Sequence, residues 1–351
     1  MSFSILSVRN GFFRVGSKNN MNVLSLFDGM SCGQIALDNL GLKVDNYFAS
    51  EIDKYAIEVT MHNYPNTKQL GSVIDVDGYK LPKIDLLIGG SPCQSFSFAG
   101  KRKGMSTKCQ TEILTLKHYL ELKAEGYEFE GQSYLFWEYI RLLNETKPKY
   151  FLLENVMMGE KWEKILSKAI GVKPIQINSA LVSAQNRNRL YWTNIGMQPM
   201  GLFGDLESII PQPKDKGILL KDILESEVDS KYYFSKKTIE KIISRSNYFK
   251  MCGRNQQYII HNMMPRSGNP EKGGTGHLIR FDGKTYCLDT GNTNAVEILE
   301  SGMVRRLTPL ECERLQTVKD NYTKNVSDTQ RYRMLGNGWT VGVVEHIFSF
   351  I

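Results

Sequence analysis

The sequence predicts an α/β fold, a doubly wound and mostly parallel sheet interrupted by a smaller, less regular region. Short apolar runs end repeatedly in small or polar residues. Stretches with apolar residues at helical spacing separate them. The alternation fades after Ile195 and returns at Thr308. Strand, turn and helix in repeated succession mark a sheet covered by helices on both faces.

Residues 1–20 have no clear period and read as an N-terminal extension. Asn22–Leu26 is the first strand and runs into Phe27-Asp28-Gly29. Ile35, Ala36, Leu40 and Leu42 follow at helical spacing. Tyr47–Ser50 is the second strand, ending at Glu51, and Ile84–Ile88 the third, ending at Gly89-Gly90. Tyr134–Leu143 has helical periodicity, and Tyr150–Leu153 is a further strand, ending at Glu154-Asn155. Leu190–Trp192 is apolar and extended. Residues 200–300 hold Gly-rich and polar segments without a long amphipathic helix. Helical periodicity returns over Thr308–Gln316 and Val341–Phe350. These elements predict a Rossmann-like domain over 21–198 and 300–351, with a separate region over 199–299.

Apolar runs such as Leu86–Ile88 and Phe151–Leu153 are too short to span a bilayer, and residues 1–20 lack the apolar block of a secretion signal. A cytoplasmic protein is expected. Lys plus Arg is 44 against 37 for Asp plus Glu, a net charge of +7 that suits a polyanionic partner without requiring one. The six cysteines form no Cys-x-x-Cys pair and do not cluster with the histidines, so no structural zinc site is expected and the thiols read as reduced.

Candidate site residues stand at strand ends, where open α/β sheets bind ligands. Phe27-Asp28-Gly29 and Gly33 let backbone approach a ligand closely. Glu51 follows Gly29 by 22 residues, a spacing at which a carboxylate can grip ribose hydroxyls. A tight turn with a solvated Glu is an equally good reading of that pair. Gly90-Ser91-Pro92-Cys93-Gln94 places a cysteine behind a rigid proline, with Lys101, Arg102 and Lys103 following, the setting of a nucleophilic thiolate. A buried structural cysteine is the plainer reading, and it is preferred for Cys32, Cys109, Cys252, Cys287 and Cys312. Glu154 is a carboxylate at a strand end, where a dry pocket can hold it protonated or make it a strong hydrogen-bond acceptor. In an extended chain Gln185, Arg187 and Arg189 share one side. Residues 231–254 carry seven Lys or Arg and one acid, interleaved with Tyr232, Tyr233, Phe234, Tyr248 and Phe249, a composition suited to phosphate contact.

Taken in order, these motifs resemble the cytosine-5 DNA methyltransferases. Phe27-Asp28-Gly29 is similar to the first cofactor motif, Pro92-Cys93-Gln94 to the catalytic motif and Glu154-Asn155-Val156 to the paired carboxylate motif. Gln185-Asn186-Arg187-Asn188-Arg189 is similar to the Gln-x-Arg-x-Arg motif. Arg306-Leu307-Thr308-Pro309, with Glu311 and Leu315-Gln316, resembles the ninth motif, and Gly336-Asn337-Gly338-Trp339-Thr340-Val341 the last. The resemblance spans roughly 21–196 and 304–350. Val44–Glu51, Leu86–Cys93 and the Trp339 segment look closer to the animal de novo branch, whereas Gln94 and the ninth motif look bacterial or viral. Gly71-Ser72-Val73, with Asp75 nearby, stands where the family often has Gly-Asp and an aliphatic residue, and Gly338-Trp339 replaces a small polar and an aliphatic residue.

The resemblance implies a class I methyltransferase fold, with S-adenosylmethionine as cofactor and a target-recognition domain over 199–299. It places the cofactor against Phe27, Asp28, Gly29, Ser31, Glu51, Ile52, Ser72, Val73, Pro92, Leu135, Asn337, Gly338 and Trp339. Cys93 would add to ring carbon 6 of cytosine, Glu154 would bind N3 and the exocyclic amine, Arg187 would hold the base carbonyl, and Arg189 would orient Cys93, Glu154 or the substrate. Duplex DNA would meet Gln94, Ser95, Ser97, Lys101, Arg102, Lys103, Gln185, Arg254, Asn255 and Arg266. The expected enzyme is a monomer acting on a flipped-out base, with a cognate restriction endonuclease as a partner not required for catalysis. Two other readings are a transfer-RNA cytosine methyltransferase, whose usual Cys-Phe-Thr tripeptide is absent here, and a non-catalytic DNA-binding relative. Methylation of an exocyclic amine is disfavoured, because Ser91-Pro92-Cys93 puts a thiol where such enzymes carry Pro-Pro-aromatic.

Overall fold

The structure, a computed structural model, describes residues 20–92, 105–200, 205–244, 257–262 and 278–351. In chain order the elements are β1 (Met21–Leu26), α1 (Cys32–Asn39), β2 (Val44–Ser50), α2 (Lys54–Asn63), β3 (Lys68–Gln69), β4 (Leu86–Gly89), α3 (Leu116–Ala124), α4 (Phe136–Thr146), β5 (Tyr150–Val156), α5 (Glu160–Ile170), β6 (Ile175–Asn178), β7 (Asn188–Thr193), β8 (Met197–Met200), β9 (Asp205–Ser208), α6 (Lys236–Ser244), β10 (Tyr258–Asn262), β11 (Leu278–Arg280), β12 (Asn294–Ile298), β13 (Met303–Arg306), α7 (Pro309–Leu315), α8 (Asp328–Asn337) and α9 (Val341–Phe348).

Seven strands form the main sheet in the order β3-β2-β1-β4-β5-β7-β6. All its pairings are parallel except those of β7, which runs antiparallel to β5 and β6. The expected doubly wound sheet is thus borne out. The period of two along each strand divides its side chains between two cores. Val23, Leu86, Ile88 and Leu152 face one core, built with α1 and α9; Leu24, Leu87, Leu153 and Phe151 face the other, built with α4 and α5. Both faces are covered, which is why β1 and β4 read as nearly continuous apolar runs. α5 escaped the sequence reading, although Trp162, Leu166 and Ile170 recur four apart and are all buried.

Strand order reverses between β1 and β4, which lie side by side although β2 and β3 separate them in the chain. Connections leave that point in opposite directions, so a crevice opens at the carboxyl ends of the two strands.

The region after Ile195 is more regular than expected. It contains an antiparallel sheet ordered β11-β10-β12-β13 and a β8–β9 ribbon. β12 pairs with β13, Ala295 opposite Arg306, so this sheet runs past the boundary expected at residues 299 and 300. It is joined to the main domain by an isolated bridge between Gln185 and Thr285. Beside that bridge the Lys284 ammonium donates to the carbonyls of Ala180 (2.8 Å), Ser183 (3.1 Å) and Ile218 (2.6 Å). α7 opens with Pro309 and a capping box: Glu311 N donates to Thr308 Oγ1, and Thr308 N to the Glu311 carboxylate. Among the described residues no helix is long and apolar enough to cross a membrane.

Candidate active site

A cavity of about 510 Å³ fills the crevice, within the usual size of a small-molecule site. Its floor is the turn after β1. Phe27 (φ 57°), Gly29 (φ 59°) and Ser31 (φ 62°) are all left-handed, an arrangement two non-glycine residues rarely adopt. Partners hold it there. The Glu51 carboxylate accepts from Gly29 N on one oxygen and from Ile52 N and Asp53 N on the other, each at 2.8 Å. The Ser31 hydroxyl donates to Asp28, whose other oxygen accepts from Tyr47 Oη at 2.8 Å. Burial pushes the Asp28 carboxyl up to about 6, against the lowering effect of the Ser25, Ser31 and Tyr47 hydroxyls; nearby Glu51 adds to the rise.

The second wall follows β4. Gly90 is required by close approach: a Cβ there would lie 2.9 Å from Trp339 Nε1 and 3.3 Å from Glu154 Oε2. Asn155 Nδ2 donates to the carbonyl and hydroxyl of Ser91, at 3.2 and 3.1 Å, and so ties the segment before Pro92 to β5.

Glu154 lies inside β5, not at its end. Its register partner on antiparallel β7 is Tyr191, and Arg189 stands opposite Val156. Glu154 and Arg189 are therefore diagonal neighbours on one face of the sheet. Arg189 Nε is 3.0 Å from Glu154 Oε1, and both side chains are largely buried.

The structure brings most of the predicted residues together. Twelve of the thirteen expected cofactor residues line this one cavity, from Phe27 to Trp339, with Glu154, Arg187 and Arg189 beside them. Ser31 is the exception. It is fully buried, and its hydroxyl serves Asp28 behind the cavity wall. Ser72 and Val73 line the cavity, whereas Asp75 lines a separate small hollow with Asp77 and Lys80. Sequence reasoning missed Asp53 and Arg333, which face each other at the cavity edge at 3.6 Å. The available signal was Arg333 standing four residues before Asn337 on one face of α8.

Two expectations need correction. Gln185, expected on DNA, has no exposed surface; its amide donates to Leu315 O and Gln316 Oε1 and accepts from Leu288 N. Arg187, expected on the base carbonyl, is 3% exposed. Its guanidinium donates to the carbonyls of Leu288, Gly336 and Gly338, the last at 2.9 Å. Those acceptors bind it to the fold and make it a clasp on the 336–338 segment. Arg189 is the arginine presented beside Glu154. Cys93, Gln94, Ser95, Ser97, Lys101, Arg102, Lys103, Arg254, Asn255 and Arg266 lie outside the described residues.

The described cysteines differ. Cys32 and Cys312 are buried, and burial pushes the Cys32 thiol up to about 12 and Cys312 well above the ordinary thiol range. Cys109, expected to be buried, is exposed, and Cys287 is half-buried. Its sulfur is 3.1 Å from Arg187 Nη1 and 3.6 Å from Arg189 Nη2.

Residues 21–121 and 123–351 match the profile of the C-5 cytosine-specific DNA methylases. The chain belongs to this family. Among similar proteins, the orphan methyltransferase M.SPRI of Bacillus phage SPR is 26% identical, over 94% of this chain and 97% of its own. The type II methyltransferase M1.ScrFI of Lactococcus lactis subsp. cremoris is 29% identical, over 87% of this chain and 71% of its own. Solved structures share the methylase fold. Entamoeba histolytica EhMeth superposes with a TM-score of 0.63 at 14% identity, covering 95% of this chain and 98% of its own. A Spodoptera frugiperda DNMT2 gives 0.58 at 18%, covering 94% and 99%.

Proposed function

We propose that this methylase transfers a methyl group from S-adenosylmethionine to carbon 5 of cytosine in duplex DNA, acting as a monomer on a base turned out of the helix. One observation carries the reading: the Phe27–Gly29 turn, Pro92, Trp339 and the Glu154–Arg189 pair meet in a single cavity.

The cavity suits the cofactor chemically. Glu51 lies at the end of β2 with its carboxylate at the cavity, and Ile52 beside it exposes 70% of its surface as an apolar platform. Gly29 leaves open space where a side chain would stand. S-Adenosylmethionine bound there supplies an electrophilic methyl group.

The remaining chemistry belongs to the chain. Cys93 directly follows Pro92 in the cavity wall, and its thiolate adds to ring carbon 6, which makes carbon 5 nucleophilic. Glu154 accepts from the exocyclic amine, and a proton shared between its carboxyl group and N3 neutralises the negative charge that thiolate addition places on the ring; that proton returns to Glu154 when Cys93 leaves. Arg189, paired with Glu154, takes the base carbonyl in place of Arg187. Once carbon 5 carries the methyl, it loses its proton to a base in the pocket, the bond to Cys93 breaks and the thiolate is restored. Flipping the base costs a few kcal/mol of stacking and pairing, offset by phosphate contacts from Lys101–Lys103 and the basic stretch 231–254.

The test is tritiated methyl transfer to a mixed-sequence DNA duplex pool, wild type beside Cys93→Ser, with bisulfite sequencing of the product. The chain is assayed alone, since a restriction endonuclease is not needed. Incorporation at carbon 5 that disappears in the variant is the expected result. Cofactor binding with no incorporation into DNA would sink the reading; a transfer-RNA arm of the same assay identifies the competing substrate.

A further inference from the structure

Cys287 stands on the segment that leads into β12 of the small sheet, yet its sulfur meets both arginines of the Gln185–Arg189 motif. It accepts from Arg187 Nη1 at 3.1 Å and lies 3.6 Å from Arg189 Nη2. Both arginines have further partners. Arg187 holds three backbone carbonyls, and Arg189 gives Nη1 to Asn188 O (2.8 Å) and Nε to Glu154 (3.0 Å). Two guanidinium charges thus converge in a largely buried place, with Glu154 paired to one of them and the Cys287 sulfur within hydrogen-bonding reach of both; the buried Tyr191 phenol lies within the influence of the same two charges. Burial works against ionising the thiol, but the Arg187 and Arg189 charges together outweigh it and hold its pKa below the ordinary value. Protonated, the sulfur has Leu288 O, 3.4 Å away, to donate to; ionised, it takes both guanidinium donors.

We propose that Cys287 is a positioning residue for methyl transfer: its sulfur fixes the two guanidinium groups so that Arg189 presents one edge to Glu154 and leaves that carboxylate its second oxygen for the base. Without the sulfur, Arg189 is free to turn its Nη2 toward Glu154 and occupy the oxygen needed for the ring. The proposal rests on the function proposed above. Among the described residues, the charged and titratable groups around Cys287 are Arg187, Arg189 and, through these arginines, Glu154 and Tyr191, while the 336–338 segment offers the carbonyls of Gly336 and Gly338.

The experiment has two arms on the full-length protein. In the first, native enzyme is pulsed with iodoacetamide across a pH series and Cys287 modification is read by peptide mass spectrometry. Labelling should reach half its maximum below the ordinary thiol value of about 8.5. This arm needs no turnover, so it stands even if the proposed activity fails. In the second, Cys287→Ala and Cys287→Ser are compared with wild type for single-turnover rate against pH and for S-adenosylhomocysteine binding by calorimetry. Cys287→Ala should lose roughly tenfold in rate, with a displaced pH profile, and cofactor-product affinity should change less than twofold. Cys287→Ser, which keeps a polar partner for the arginines, should recover part of the rate. An ordinary labelling midpoint overturns the proposal, and so does a Cys287→Ala enzyme with wild-type rate and profile. Absence of methyl transfer by wild type would instead refute the functional reading.

Discussion

Gly336 tests the described packing most sharply, because two physical effects predict opposite signs for Gly336→Ala. The residue lies in the last turn of α8, where replacing glycine by alanine stabilises a helix by up to about 1 kcal/mol. The tertiary contact opposes this. A Cβ at position 336 would lie 2.4 Å from the Asp289 carbonyl carbon, 2.5 Å from its oxygen and 2.6 Å from Thr290 N, whereas ordinary contact begins near 3.4 Å. All three atoms are backbone, so no side-chain rotation relieves the overlap, and the two segments must part by about 1 Å. Overpacking of this kind costs about 1–3 kcal/mol, leaving a net destabilisation of up to roughly 2 kcal/mol. The same displacement moves Gly336 O and Gly338 O away from Arg187 and shifts Asn337–Trp339 in the cavity wall. Cofactor affinity should then fall on the order of tenfold, equivalent to about 1.4 kcal/mol. Urea unfolding and calorimetric titration with S-adenosylhomocysteine measure both effects. A Gly336→Ala protein at least as stable as wild type, with unchanged affinity, would refute the argument, since helix propensity would then have prevailed over the contact.

Other substitutions probe separate links. Glu154→Gln keeps the shape but removes the charge paired with Arg189, and methyl transfer should fall by roughly 10²–10⁴ in single-turnover assays; a rate within threefold of wild type would remove Glu154 from the chemistry. Asp28 carries a folded-state pKa raised from 3.8 to about 6, so the folded protein keeps a proton there that the unfolded chain has lost, and its contribution to stability declines as pH rises through that window. Asp28→Asn should therefore gain stability relative to wild type between about pH 4 and 6, read as the difference between the two urea midpoints; a constant difference contradicts the assignment. Glu311→Gln leaves Arg305 buried without its carboxylate partner and should cost about 3–5 kcal/mol, visible as a large fall in Tm. Gln185→Ala should lower stability while leaving the preferred DNA sequence unchanged in bisulfite profiles, because its amide is used inside the fold.

Chain order and periodicity reach a long way in this protein. The alternating apolar runs at Asn22–Leu26, Ile84–Ile88 and Tyr150–Leu153 are enough to place a parallel sheet, since strands buried on both faces must be apolar nearly throughout. Polar residues at strand ends locate the crevice, because backbone beyond a strand is the place where side chains can face a ligand. Local patterns of that sort depend on neighbours a few residues apart, and a sequence displays them directly. Which side chains meet across a hundred or more residues depends on registers and crossings that no local period encodes. Gln185, Arg187 and Arg189 look equivalent on an extended chain. Antiparallel pairing with β5 sends Arg189 to Glu154, while the 288 and 336–338 carbonyls capture Arg187 and the ends of α7 and the 288 segment capture Gln185. Cys287, unremarkable among six cysteines, acquires its charged surroundings from residues about 100 positions away. The small sheet stayed hidden because its strands are short and half polar, and it is held by contacts rather than by an apolar repeat of its own: Lys284 beside it reaches carbonyls of the distant Ala180 and Ile218, and Arg305 pairs with Glu311 at the start of α7.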